Sequence, residues 1–214
     1  MELNSYLYSF LTHDVMLTKQ LEQEAGSRDD IQPFVERETA KLISLMIRLT
    51  RAKKVLELGT GIAYSTIWLG SAVKEVGGKL ITVDNHERTG VEAKENIEKA
   101  GLSSVVDQRQ GDAEIIVPEL TTTESGTFDM IFQDCGKYLY PLLYEDLYSL
   151  LKPGGLLITD DTLFRVNTGV RKGLGKYIDT YNKQLFSDSR YYSTMLPVGH
   201  GFAVSLKNSQ ESKK

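Results

Sequence analysis

The chain has 214 residues, 41% of them apolar, enough for one sizeable core, and its 25 basic against 29 acidic side chains leave a formal charge of −4. That balance gives no general electrostatic hold on nucleic acid or an anionic membrane. A single cysteine cannot form an internal disulfide, three scattered histidines lack metal-ligand spacing, no apolar run approaches the roughly 20 residues of a membrane span, and the N-terminus is too polar for a signal peptide, so a cytoplasmic protein is expected.

Residues 5–24 place Tyr6, Leu7, Phe10, Leu11, Leu17 and Leu21 at helical spacing, which predicts a helix outside the main core, ending at the breaker-rich AGSRDD. This helix carries more apolar surface than a monomer normally leaves exposed, so a homodimer is expected. Pro33 fits a first helical turn, and Phe34, Val35, Leu42, Leu45, Met46 and Leu49 predict a second, longer helix. From residue 54 the pattern changes to short apolar runs: KVLELG, KLITVD, VVDQRQ, FDMIFQD and GLLITD. Helical stretches near 64–74, 87–100, 113–120 and 138–151 alternate with them, the signature of a parallel sheet with crossover helices on both faces. Two last strands, about 190–197 and 201–207, are joined by too few residues around VGHG for a parallel crossover and so form an antiparallel hairpin. The expected class is α/β: a seven-stranded, mostly parallel sheet in one domain over 1–207, with an N-terminal helical extension to about residue 50 and a polar tail over 208–214.

The segment VLELGTGIAYST joins the first strand to its helix through Gly59 and Gly61, which let the backbone pass close to a ligand at the strand's C-terminal edge. A dinucleotide fingerprint wants a third glycine where Tyr64 stands, so a nicotinamide cofactor loses ground. Glu57 before the turn and Asp84 at the end of the second strand, placed to accept hydrogen bonds from ribose hydroxyls, suit S-adenosylmethionine instead. The plain alternative makes Glu57 a strand cap and Asp84 the opening of the turn DNHE. Asp112, in QGDAE, ends the third strand on the same edge, within reach of an adenine amino group.

Strand four ends in Asp134, three residues before Lys137, and strand five ends in the adjacent Asp160 and Asp161. Neighbouring side chains in a strand point to opposite faces, so both acids reach one site only if the chain turns there, as TLFRV suggests. Three carboxylates at one edge bring about three negative charges, which a divalent hard cation such as Mg²⁺ neutralises with oxygen ligands. The other reading makes Asp160 a solvated strand end, Asp161 the N-cap of a following helix and Lys137 a solvated helix lysine. Cys135 reads as a small buried filler, because no histidine is placed to activate it.

Together with LLKPGGLLITDDTLF, FDMIFQDCGKYLYPLLY and SRYYSTMLPVGHGFAVSLK, these segments resemble the magnesium-dependent class I O-methyltransferases, a group that includes catechol and caffeoyl-CoA O-methyltransferases, from about residue 31 to residue 207. The resemblance implies a Rossmann-like methyltransferase fold and methyl transfer from S-adenosylmethionine to a metal-chelated hydroxyl of a small catechol-like aromatic. It implies Asp134, Asp160 and Asp161 as metal ligands and Lys137 as general base. Glu57, Gly59, Gly61, Ser65, Asp84, Asp112, Ala113 and Asp134 fall at cofactor positions. Two positions depart from the family pattern: Asp161 stands where asparagine is usual, and His200 where an acid is common. The bacterial side of the family also allows a hydroxylated uridine in tRNA as acceptor, for which Arg171, Lys172, Lys176, Lys183 and Arg190 could form a local basic patch. A third alternative is a protein that binds S-adenosylmethionine without turnover. The intact Lys137 and the three acids speak against it.

Overall fold

All seven runs read as strands pair into a single sheet in the computed structural model, which describes residues 3–166 and 172–209. β1 (Lys54–Leu58), β2 (Lys79–Asp84), β3 (Val106–Gln110), β4 (Phe128–Gln133) and β5 (Leu151–Thr159) run parallel. β6 (Tyr191–Leu196) and β7 (Phe202–Lys207) form the expected hairpin, with β7 antiparallel against β5. The order β3-β2-β1-β4-β5-β7-β6 reverses direction between β1 and β4, which opens a crevice at their C-terminal ends, where ligands of open α/β sheets bind.

The strands are apolar on both faces because both faces are covered. On one side α3 (Arg37–Thr50), α4 (Tyr64–Glu75) and α5 (Glu87–Lys99) bury Ile43, Ile67 and Ile97 against Val55, Leu80 and Met130. On the other, α6 (Ala113–Glu124), α7 (Leu139–Leu142), α8 (Tyr144–Leu150) and α9 (Lys172–Ser187) bury Val117, Tyr140, Leu147 and Ile178 against Leu56, Leu58 and Leu157. The alternation along β1 decides one later point: Val55 and Glu57 face α4, while Leu56 and Leu58 face the second layer.

The helices differ from expectation in four places. The helix expected over 5–24 is two, α1 (Leu3–Tyr8) and α2 (Met16–Ala25). Arg37 reaches the carbonyls of Tyr8 at 3.4 Å and Leu11 at 3.1 Å, so backbone acceptors that a continuous helix would use are taken by a guanidinium. Nor is this segment outside the core: Leu21 is buried in the main cluster, and Glu22 accepts hydrogen bonds from Arg37 Nε and the Tyr64 hydroxyl, both at 3.1 Å, with His13 Nε2 at 3.3 Å. The second helix starts at Arg37, not at Pro33, because Glu36 is extended and Phe34 turns aside to stack on Tyr64 at 4.2 Å. The stretch 138–151 is two short helices, and α9 was not foreseen at all, although Ile178, Tyr181 and Leu185 supply its buried face. Residues 210–214 of the expected polar tail, and Arg171 of the basic patch, lie outside the described residues.

Gly59 is the tightest point of the crevice. Its φ is +107°, and a Cβ there would sit 2.1 Å from the Asp134 carbonyl oxygen, whereas a Cβ on Gly61, φ +52°, meets nothing within 4 Å. Gly61→Ala should therefore lose only the left-handed penalty of about 1 to 2 kcal/mol. Gly59→Ala must also push β1 and β4 apart, adding about 1 to 3 kcal/mol. Urea unfolding of both variants checks this, and equal losses would mean that the close approach of the two strand ends is not under steric control.

Candidate active site

Strands β2 to β5 each end in a polar residue on one edge of the sheet, where β1 passes from Leu58 into the Gly59–Gly61 turn. The Asp134 N–H donates to the Leu58 carbonyl at 2.9 Å and the Asp160 N–H to the Gln133 carbonyl at 3.2 Å, so the ladder continues one residue past β4 and β5 before the chain leaves the sheet. Asp161 then adopts a left-handed conformation, φ +60°, which short polar side chains tolerate better than most. This is the turn that two adjacent acids need in order to face one point. The hairpin fixes it: the Thr162 N–H donates to the Gly201 carbonyl and the Leu163 N–H to the His200 carbonyl, both at 3.0 Å.

Ligand oxygens of Asp134, Asp160 and Asp161 consequently lie within 4.8 Å of one another. Asp160 is 3% exposed, which rules out a solvated strand end. The side chain of Asp161 meets Lys137 Nζ at 2.6 Å and His200 Nδ1 at 3.5 Å and so does not act as a helix cap. Lys137 Nζ also donates to Asp134 Oδ1 at 2.9 Å and to the Tyr140 hydroxyl at 2.8 Å, and that hydroxyl donates to the Gln133 carbonyl at 3.2 Å. Burial pushes the Asp134 carboxyl up to about 6 against the pull of Lys137, and burial with the charges of Asp134 and Asp161 drives Asp160 well above the usual carboxylate range. Burial opposes the charge on Lys137, but Tyr140, Asp134 and Asp161 outweigh it, and the amine is held well above its ordinary value.

One ammonium thus faces three carboxylates, and Asp160 Oδ1 is buried with no hydrogen-bond partner. An excess of clustered, hard oxygen donors with one left unpartnered is the donor set of a divalent hard cation, so these residues fit one.

The cofactor candidates line the crevice beside this cluster. Asp84 receives the Gly61 N–H on Oδ2 and the His86 N–H on Oδ1, both at 2.9 Å, which fixes its carboxylate at the end of β2. Asp112 is exposed at the start of α6, bonded to Asn85 Nδ2 at 2.5 Å, and Ala113 is the first residue of that helix. Ser65 is buried in the first turn of α4. Glu57 lies deeper than the others: it is fully buried, and its Oε2 accepts from Thr66 Oγ1 at 2.6 Å and Thr82 Oγ1 at 2.7 Å, while Oε1 has no partner. Cys135, half-buried, has its thiol pushed by burial to about 12, consistent with a filler.

Sequence reasoning missed Tyr140 and Glu36. The spacing Lys137-x-x-Tyr140 places both on one helical face and could have flagged the first. Glu36, whose Oε1 lies 3.4 Å from His200 Nδ1, has no sequence signal linking it to a loop more than 160 residues away.

A family model described as O-methyltransferase matches residues 8–208 of the chain. The chain is 39% identical over 123 residues to a catechol O-methyltransferase of Niastella koreensis, a match covering 58% of this chain and 55%, about half, of that relative. It is 31% identical over 180 residues to caffeoyl-CoA O-methyltransferase 1 of Arabidopsis thaliana, covering 79% of this chain and 69% of the plant protein. Among solved structures, the O-methyltransferase TomG from Streptomyces achromogenes, in complex with SAM, superposes with a TM-score of 0.83 at 25% identity, covering 96% of this chain and 95% of that one.

The burial of Glu57 has a measurable cost. Burial raises its carboxyl from an ordinary 4.5 to about 7, against the hydrogen bonds of Thr66, Ser65 and Thr82. An acid raised in this way favours the folded state in its neutral form, so its contribution is complete below about pH 4.5 and is lost as pH rises through about 7. In cofactor-free protein, the stability of Glu57→Gln relative to wild type should improve by about 2 kcal/mol between pH 5 and pH 8. Parallel pH–stability curves would show that Glu57 is already ionised in the folded chain.

Proposed function

The chain belongs to the O-methyltransferase family, and on that premise we propose that it moves the methyl group of S-adenosylmethionine to a hydroxyl of a small catechol-like aromatic, with a divalent cation at Asp134, Asp160 and Asp161. The observation that carries this reading is the convergence of those three acids beside the Gly59–Gly61 turn. The names of the bacterial and plant relatives support a hydroxylated aromatic acceptor. Asp84 would take the ribose and Asp112 the adenine, and Gly59 and Gly61 would let the backbone approach the donor.

The sulfonium methyl is already activated, so the chain's tasks are to align the acceptor oxygen with it and to take that oxygen's proton. A bound divalent cation would supply Lewis acidity, lowering the pKa of an acceptor hydroxyl. Lys137 Nζ, braced by the Tyr140 hydroxyl, is the group that accepts the proton. Burial favours its neutral form once the carboxylate charge around it is neutralised. Of the five basic side chains that would suit tRNA, Lys183 is paired with Asp179 and Arg190 with Glu145 and Asp188, which commits two of the five charges to neighbouring carboxylates. Among the described residues no helix is long and apolar enough to cross a membrane, and a cytoplasmic location is part of this proposal.

Radiolabelled methyl transfer to a catechol panel and to bulk tRNA, with and without EDTA, tests the reading. Catechols should be methylated and EDTA should abolish it. Lys137→Ala should lower kcat by about 10² to 10⁴ with cofactor affinity retained. Asp161→Asn should raise the Mg²⁺ concentration needed but keep transfer at saturating metal, since cation affinity follows ligand charge. Label in tRNA alone would replace the acceptor, EDTA-resistant transfer would leave Lys137 as the only cation required, and cofactor binding without transfer would make the chain a binding protein.

The same proposal includes a homodimer. Tyr6 of α1 and Phe10 just after it are 57% and 66% exposed, and Leu45 and Leu49 of α3 are 50% and 73% exposed, an apolar surface suited to a second copy. Light scattering at micromolar concentration should give twice the 24.0 kDa of the chain, and a monomer mass would reject the dimer.

A further inference from the structure

On the far side of His200 from the acid cluster lies a groove of about 650 Å³, a size suited to one small aromatic with a side chain. Leu7, Leu11 and Leu42 give it apolar walls. His200 belongs to both places, lying 3.5 Å from Asp161 Oδ1 and 3.4 Å from Glu36 Oε1 while lining the groove. The groove thus shares His200 with the acid site and offers room for the far end of an acceptor whose hydroxyl sits at the acids.

The fixed charge of this space is negative. Its ionisable lining is Glu36, Glu38, Lys41 and His200. The Lys41 ammonium is committed to Asp14 at 2.6 Å and to the Thr12 carbonyl at 3.0 Å. Glu38 Oε2 is buried with no hydrogen-bond partner. Among the described residues, the ion-pair partner of Glu36 is His200, an imidazole that it shares with Asp161. Among the described residues, two carboxylates thus line the groove with no lysine or arginine paired to either, Glu36 meeting only the shared imidazole.

Building on the methyl-transfer reading of this site, we propose that Glu36, with Glu38 behind it, selects acceptors by charge. A substituent that is cationic or donates hydrogen bonds is drawn into the groove, and one carrying a carboxylate or phosphate is turned away. The apolar walls hold the ring, and the two glutamates read what the ring carries. Glu36 and Glu38 precede the bulk of α3 and touch none of the reacting atoms, so they act as specificity residues rather than catalytic ones.

Titration calorimetry of the full chain with S-adenosylhomocysteine and Mg²⁺ tests this, using three catechols that carry an aminoethyl, a methyl or a carboxylate substituent at the same ring position. The aminoethyl catechol should bind at least about tenfold more tightly than the carboxylate one, a modest demand on a charge pair in a partly desolvated groove. Glu36→Gln should narrow that ratio to within about threefold, and the double variant Glu36→Gln, Glu38→Gln should abolish it, while Glu36→Asp restores it. A flat or reversed order in the wild type, or a ratio unchanged in the Gln variants, would overturn the assignment while leaving the catechol reading standing. Failure of all three catechols to bind would overturn both.

Discussion

The site rests on a constraint of backbone geometry that works against electrostatics. β4 and β5 are parallel neighbours in fixed register, Gln133 beside Thr159, so the next residues of each, Asp134 and Asp160, must end together at the sheet edge. The left-handed turn at Asp161 brings a third carboxylate to the same point. Nothing in this arrangement attracts the three acids to each other. They are held by ladders and packing, and burial, with their mutual repulsion added to it, raises Asp134 and Asp160 above ordinary carboxylate values. The single ammonium of Lys137 relieves only part of that charge, which leaves a donor set that fits a cation.

The antiparallel hairpin gains a purpose in this light. A sixth parallel strand would have supplied another crossover helix; β7, running the other way beside β5, instead returns its entry loop to the C-terminal edge. Backbone bonds from Thr162 and Leu163 to the Gly201 and His200 carbonyls tie that loop to the turn carrying Asp161. Gly201 permits the approach, since a Cβ there would lie 2.4 Å from the Leu163 nitrogen. One short segment thereby sets both the orientation of an acid and the position of the imidazole at the groove.

Much of this could be read from the chain, and the unread part shares a cause. The strands were legible because doubly buried strands are near-continuous apolar runs, and the acids were legible because they end those runs. The break between α1 and α2 was not, because it depends on Arg37 capturing carbonyls 26 and 29 residues away, a tertiary event that periodicity cannot register. α9 escaped notice because Gly173, Gly175 and a polar stretch dilute the spacing of Ile178, Tyr181 and Leu185. At the site, residue types were readable but depth was not. Glu57 and Asp84 looked equivalent as acids flanking a glycine turn, yet one is sealed beneath the turn and the other stands at its rim, held by two backbone N–H groups.

The Arg37–Glu22–Tyr64 tie divides the chain's work. Arg37 holds the carbonyls of residues 8 and 11, Glu22 holds Arg37, and Tyr64 joins both to the helix that begins at the glycine turn. The groove wall is therefore hung from the donor side by main-chain carbonyls, which every residue type provides, and not by the side chains of Leu7 and Leu11. Those two positions are free to diverge without disturbing the anchor. Lineages, or an engineer, can thus exchange the lining of the wall while the sheet edge proposed for the methyl donor stays unchanged, a modularity that follows from fastening a surface by its backbone.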